Sequence, residues 1–448
     1  MNLFDQLRND KNLFSAWRHV KKSALSSKNF EIRGKASDFE HQHQRHIRRI
    51  QTQLREGRFV FDGVEGVLKD KNKRIAQGKA PRPIAIGSIQ NRIVERAILQ
   101  VLQPRKIIDS KNIHSKFKVL EDERIGKLNL VNTSLYGVGG LMKPYGGVQP
   151  AIKFILTAIE NGAKYYYQSD IKSFYTKIPT ENVVKIVRSE TGDHDLADLF
   201  ARALDINLLN EDELLTYAKI FPRNGVGVAQ GSSLSAFAGN VLLYDFDHKL
   251  NENGISCVRY IDDLVILSSS KLALKNGVRL AKQDLKSFGF DLYPPSEDSE
   301  KASEGECRNG ISFLGCMMKP NRCIPSKPSI DKVDGEIGEI ISDSKNHINY
   351  FLNSGKEFNL KFSRCETISK IGNKLYGWEK SFSFCTDVEV FRNLDNKIRK
   401  RVLEYDFWVY RKTKGINENK MDMKLQIMGI PNLSNLYLRD KKRDKRRG

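Results

Sequence analysis

The chain has 448 residues, with 75 Lys and Arg against 54 Asp and Glu, a formal net charge of +21 and 40% hydrophobic residues. This composition supplies a substantial core, which excludes global disorder, and the length allows about three structural units. No apolar run approaches the ~18–20 residues of a membrane span, and the N-terminus lacks the apolar stretch and small-residue cleavage site of a secretory signal. Residues 1–60 are basic, with apolar side chains at helical spacing. Leu13, Phe14, Trp17 and Val20 form one predicted stripe, with Arg18, Lys21 and Lys22 outside it. The tract His41–Arg55 reads as a solvated basic helix. Its His41, His43 and His46 lack the i, i+4 pair and the nearby cysteine that a metal site calls for.

A basic stretch, Lys69–Arg82, leads into the strand-like Pro83-Ile84-Ala85-Ile86, and Asn91–Gln103 then reads as a helix. Residues 134–148 are glycine-rich and read as loop; no Gly-Lys-Ser/Thr follows at the spacing of a phosphate-cradling P-loop. After a predicted helix around Pro150–Asn161, Tyr165–Asp170 reads as a strand ending in an acid. Gly225–Asn240 reads as loop followed by helix. Cys257-Val258-Arg259-Tyr260 and Leu264-Val265-Ile266-Leu267 flank Asp262-Asp263, which predicts a hairpin with carboxylates at its tip. Beyond Pro320 the pattern turns helical, through Ile330, Val333, Ile337 and Ile341, then Phe391, Leu394, Ile398 and Val402. The last ten residues carry seven basic side chains and no apolar one, and are expected to lack structure when free.

Six cysteines, at 257, 307, 316, 323, 365 and 385, do not make a disulfide scaffold in so long a chain. None forms a Cys-x-x-Cys pair, which speaks against a structural zinc site, and the expected setting is a reducing cytoplasm. The basic excess points to a polyanion, with nucleic acid the first candidate. Against that background the adjacent Asp262 and Asp263 stand out in an apolar hairpin. Like charges held together need compensation, and a divalent cation supplies it. Carboxylate oxygens completed by substrate phosphates suit Mg²⁺. Two such ions about 3.5–4 Å apart serve phosphoryl transfer. Taken alone, the Asp pair reads first as an ordinary hairpin turn, since Asp favours turns.

The neighbouring sequence adds a resemblance. Tyr260-Ile261-Asp262-Asp263 between apolar strands resembles the signature of reverse transcriptases, and Asp170-Ile171-Lys172-Ser173-Phe174-Tyr175 resembles the first acidic motif of the same palm domain. Between them, Ala229-Gln230-Gly231-Ser232-Ser233-Leu234-Ser235 is similar to the family's motif for positioning nucleotide and template. Arg82-Pro83-Ile84-Ala85-Ile86 followed by Asn91–Ala97 is similar to the fingers of bacterial and group II intron enzymes. Ser312-Phe313-Leu314-Gly315 resembles the primer-gripping hairpin, and Leu375-Tyr376-Gly377-Trp378 has a weaker, thumb-like similarity.

The resemblance implies an α+β right-hand polymerase: an N-terminal basic helical extension at 1–60, fingers and palm at 61–320, a helical thumb at 321–412 and a basic C-terminal extension at 413–448. It implies RNA-templated DNA synthesis from dNTPs with two Mg²⁺ ions, or Mn²⁺ in their place. Asp170, Asp262 and Asp263 would be the catalytic and metal-binding acids, joined by the Ile171 carbonyl. Arg82 and Lys79 would hold the triphosphate, Tyr175 would gate the sugar, and Gln230 would position nucleotide or template. The sequence looks most like the unknown-group and abortive-infection reverse transcriptases. That implies a bacterial cytoplasmic enzyme working with a noncoding RNA in anti-phage defence, with RNA template and DNA product as partners. Retron-type, group II intron-like and maturase-like readings remain the alternatives, and an RNA-copying RNA polymerase is disfavoured by Tyr175 and Tyr-Ile-Asp-Asp.

Overall fold

Among the described residues of this α+β chain all strand ladders are antiparallel, and the strands Tyr165–Asp170 and Asp263–Ser268 are built on aromatic and β-branched residues that favour extended backbone. The computed structural model describes the chain except for residues 28, 77, 79, 80, 108–116, 253, 296–300, 356, 418, 419 and 445–448. Its strands are β1 (Glu65–Lys69), β2 (Arg82–Ile86), β3 (Arg105–Ile107), β4 (Phe117–Val119), β5 (Tyr165–Asp170), β6 (Ser256–Tyr260), β7 (Asp263–Ser268), β8 (Ala302–Glu306), β9 (Ile311–Phe313), β10 (Cys316–Lys319) and β11 (Arg322–Pro325). β1 pairs with β2 and β3 with β4, while β6-β7-β5-β8 and β11-β10-β9 form larger sheets. The chain divides into two compact units, Met1–Cys307 and Arg308–Gly448.

In the first unit, Leu264, Val265, Ile266 and Leu267 of β7 are all fully buried. Successive strand residues face opposite ways, so both faces of β7 are covered. Helices Val148–Glu160, Ser235–Glu252 and Lys271–Ser287 pack against this sheet. Of the predicted N-terminal stripe, Leu13, Trp17 and Val20 of helix Asp10–Leu25 are buried and Phe14 is partly buried, and that helix packs on Ile89–Leu102. The tract expected to be a solvated basic helix differs. Helix His43–Arg55 buries Ile47, Ile50 and Leu54, three apolar residues spaced to share one face. His43 meets Phe14 edge-on at 6.2 Å and His46 stacks on Phe39 at 4.8 Å.

The second unit joins the β9–β11 sheet to helices Lys327–Ser354, Arg364–Phe382 and Val388–Lys414. Their shared core includes Val333, Ile337, Ile348, Leu394, Ile398 and Tyr405. Inside it, the hydroxyls of Ser344 and Tyr405 lie 2.7 Å apart, a paired polar contact in an apolar setting. The basic tail departs from expectation over residues 439–444, because helix Leu433–Asp444 runs into it, while 445–448 lie outside the described residues. Lys and Arg are good helix formers, and an existing turn extends through them at little cost. Among the described residues, no helix is long and apolar enough to cross a membrane.

Candidate active site

β5 and β7 are in register so that Asp170 lies opposite Asp263 at one end of the central sheet. The hairpin between β6 and β7 has a two-residue turn, Ile261-Asp262, because Tyr260 pairs directly with Asp263. Ile261 has φ +64°, a conformation unfavourable for a β-branched residue and one usually given to glycine in such turns. The Ile171 amide donates to the Asp262 carbonyl at 2.7 Å, which ties the end of β5 to the turn. Thus Asp170, Ile171, Asp262 and Asp263 share one end of the sheet. The Asp170 carboxylate also accepts from Lys301 Nζ, a partner 131 residues away that sequence reading missed.

Burial, and then the neighbouring Asp263 charge, push the Asp262 carboxyl up to about 6. Burial also raises Asp263. Two carboxylates that resist joint ionisation, beside a third, form a hard-oxygen donor set that fits Mg²⁺. Arg82, the first residue of β2, acts in the opposite direction on Asp262 and lowers its carboxyl. Arg82 therefore lies within electrostatic reach of the acidic turn. Lys79 lies outside the described residues.

Tyr175 is half-buried, and its hydroxyl is pushed up to about 12 by burial and then by the Asp262 charge. Its neighbour Phe174 is a core side chain, 5.3 Å from the Phe290 ring, packed under Gly239 where a Cβ would come within 2.7 Å of it. The Gln230 carbonyl accepts from the Ala85 amide at 3.0 Å, bringing the 229–235 segment against β2 and hence near Arg82. Asp170, Ile171, Asp262 and Asp263 thus share the sheet end, Arg82 and Tyr175 lie within electrostatic reach of Asp262, and Gln230 is placed by its backbone bond to β2.

The support beneath the turn is less apparent in sequence. Arg259, fully buried in β6, donates from Nε and Nη2 to Asp247 at 2.9 and 2.5 Å. Its Nη1 donates to the Ile261 carbonyl at 2.8 Å and to Asn240 Oδ1 at 3.3 Å. Asn240 in turn donates to the Gly139 carbonyl at 2.7 Å. A Cβ on Gly137 would come within 2.4 Å of Asp247 Oδ2, and one on Gly139 within 2.3 Å of the Ile261 amide nitrogen. The glycine-rich loop can therefore pack directly under the acidic turn. The missed signal was an arginine inside an apolar strand, which demands a buried partner.

Glu95 is a second overlooked group. It accepts from Ser232 Oγ at 2.9 Å, and burial pushes it up to about 7 despite that bond, the Ser233 amide and the Arg92 charge. A carboxyl raised this way favours folding below its ordinary value, and that contribution disappears as pH rises through about 7. Glu95→Gln should thus be about 1–3 kcal/mol more stable than the parent at pH 8. Unfolding curves at both pH values check this, since the advantage should largely vanish at pH 5.

The sheet, acidic turn and flanking helices have the α+β fold of a nucleic-acid polymerase. A family model described as "Reverse transcriptase (RNA-dependent DNA polymerase)" matches residues 69–316, over half of the chain, and the chain belongs to that family. It is 24% identical over 201 residues to the "Uncharacterized 91 kDa protein in cob intron" of Schizosaccharomyces pombe, covering 45% of this chain and 20% of the relative. The chain thus spans about a fifth of that relative's length. A chain of the "Partial Cas6-RT-Cas1--Cas2 complex" is similar with TM-score 0.35 and 19% identity, over 64% of this chain and 42% of the other. An apo telomerase from Candida tropicalis, truncated from its C-terminal domain, gives TM-score 0.30 and 14% identity, over 40% and 39%.

Proposed function

We propose that the chain is an RNA-templated DNA polymerase whose site is built on Asp170, Asp262 and Asp263. The observation that carries this reading is their common position at the sheet end, with Arg82 and Tyr175 both within electrostatic reach of Asp262. The primer 3′-hydroxyl oxygen attacks the α-phosphorus of a dNTP. A new O–P bond forms, the α–β phosphoanhydride bond breaks, pyrophosphate leaves and the hydroxyl proton passes to solvent. Two Mg²⁺ ions, or Mn²⁺, bound by the three carboxylates and the Ile171 carbonyl would activate that hydroxyl and stabilise the leaving phosphate. Arg82 offers a bidentate fork to the β- and γ-phosphates, while Lys79 supplies a point charge. Gln230 orients nucleotide or template.

Residues 61–320 act as fingers and palm in this proposal, and 321–412 as thumb. The extensions 1–60 and 413–448 supply further basic surface. In the second unit, exposed Tyr376, Phe407 and Tyr437 each have a basic group over the ring, Lys380, Arg411 and Lys441 respectively. Exposed rings with adjacent cations suit contact with bases and backbone. The biological setting we propose is bacterial, cytoplasmic anti-phage defence with a noncoding RNA, supported by resemblance to the unknown-group and abortive-infection enzymes. A second reading, an intron-associated enzyme, is favoured by the relative in the cob intron. Sequencing RNA that copurifies with the chain distinguishes an intron transcript from a separate noncoding RNA.

Primer extension on RNA tests the chemistry. The chain should incorporate dNTPs with Mg²⁺ and stop with chelator. Tyr175→Ala should raise rNTP use relative to dNTP use by about 10–100-fold, as discrimination of roughly 1–3 kcal/mol is released. The ratio of kcat/KM values is the readout. No extension by the folded parent on any primed RNA would remove the polymerase reading, and an unchanged ratio in an active variant would remove the gate.

A further inference from the structure

In the second unit, two tight turns fold residues 311–325 back on themselves. Leu314 and Gly315, at φ +48° and +80°, close β9 onto β10 in the geometry of a type I′ turn. Pro320-Asn321, with Asn321 at φ +58°, closes β10 onto β11 as a type II turn. The register sets Cys316 opposite Pro325 and Met318 opposite Cys323. Side chains two apart share a face, so Cys316 and Cys323 lie diagonally on the same side, and both are fully buried.

The turn between helices Arg364–Phe382 and Val388–Lys414 brings a third thiol to that face. The Thr386 amide donates to the Cys323 carbonyl at 2.8 Å, and the Cys323 amide donates to Thr386 Oγ1 at 2.9 Å. Arg322 pairs with Asp387 at 2.6 Å beside them. Cys385, partly exposed, is thereby pinned with its Sγ 3.8 Å from that of Cys323, and all three Sγ atoms lie within 4.8 Å of one another.

We propose that Cys316, Cys323 and Cys385 form a Zn²⁺ site, with a solvent molecule as fourth ligand on the open side of Cys385. Zinc bonded to sulfur at about 2.3 Å in a tetrahedron sets neighbouring sulfurs about 3.8 Å apart, the spacing of the Cys323–Cys385 pair. A disulfide needs sulfurs at about 2.05 Å and joins only two of the three. Soft thiolates select zinc over Mg²⁺, so this site would not compete with the acidic turn for its ion. Binding displaces three thiol protons and leaves one net negative charge. The Cys-x-x-Cys spacing was the wrong test here, because the ligands come from two strands of one hairpin and a turn 62 residues further on. The consequence is mechanical: the ion would clasp the β10–β11 hairpin to the turn between two helices.

Full-length protein purified under reducing conditions should carry one zinc per chain by elemental analysis. Replacement with Co²⁺ should give thiolate-to-metal charge transfer and the intense visible bands of tetrahedral cobalt. Cys385→Ser, at the partly exposed ligand, should weaken Zn²⁺ binding at least about tenfold, whereas Cys365→Ser should leave it unchanged. The cobalt spectrum of the parent needs no variant to fold. Absence of bound zinc and of a cobalt signal with all thiols reduced overturns the proposal. So does equal loss of zinc in the Cys365 variant.

Discussion

Replacing Asp262 and Asp263 together by Asn is expected to lower dNTP incorporation by at least about a thousandfold, equivalent to about 4 kcal/mol of barrier. The same change should leave the chain folded and, in chelator at pH 8, more stable than the parent by about 1–3 kcal/mol. The sign follows from the raised carboxyls: burial and then the Asp263 charge hold Asp262 near 6, and burial raises Asp263, so at pH 8 the parent keeps the Asp262 charge against that resistance. A raised carboxyl favours folding below about 4, and the contribution is lost as pH passes about 6. The variant's advantage should therefore shrink toward pH 4. Added Mg²⁺ should raise the parent's melting temperature and leave the variant's unchanged, because only the parent retains the full donor set. Paired incorporation and thermal-unfolding measurements, with and without Mg²⁺, test both halves. A variant that is folded, inactive and less stable in chelator would make the acids structural as well as reactive.

The acidic hairpin could be read from sequence because its determinants are local. Val265 and Ile266 favour strand, Tyr260 and Asp263 close the turn, and burial follows the apolar run. The helix of Leu13, Trp17 and Val20 was readable for the same reason, its period being carried within one segment. Other features depend on residues that sequence separates widely. Lys301 reaches Asp170 across 131 positions, and Cys385 reaches Cys323 across 62. Neither link has a periodic signature. Helix His43–Arg55 was misjudged by composition: its basic residues hide three apolar positions that are sufficient to bury one side. Gly137 and Gly139 signalled a loop, but only the packed structure shows that side chains there would collide with Asp247 and Ile261.

Arg259 connects that hidden support to the reaction, and its removal is expected to be the most destabilising single change near the site. Arg259→Met leaves Asp247 buried without its partner, a loss of about 3–5 kcal/mol. Burial already raises the Asp247 carboxyl, and Arg259 is the leading influence holding it down. Arg259→Met combined with Asp247→Leu removes both charges, so much of the lost stability should return. Polymerisation should not return with it. The Ile261 carbonyl still lacks the guanidinium donor that braces a β-branched residue at positive φ. A charge-assisted hydrogen bond of about 1.5–3 kcal/mol, if needed only to hold the reactive turn, corresponds to a roughly 10–100-fold lower kcat. Arg259→Lys provides a second comparison, since lysine keeps the charge but cannot reach Asp247 and Ile261 with one planar fork. It should be intermediate in stability and close to the double variant in rate. Denaturant unfolding and single-turnover extension at saturating primer-template separate the two effects. If the double variant regains both stability and the parent's rate, Arg259 serves the core alone and the turn holds its shape without it.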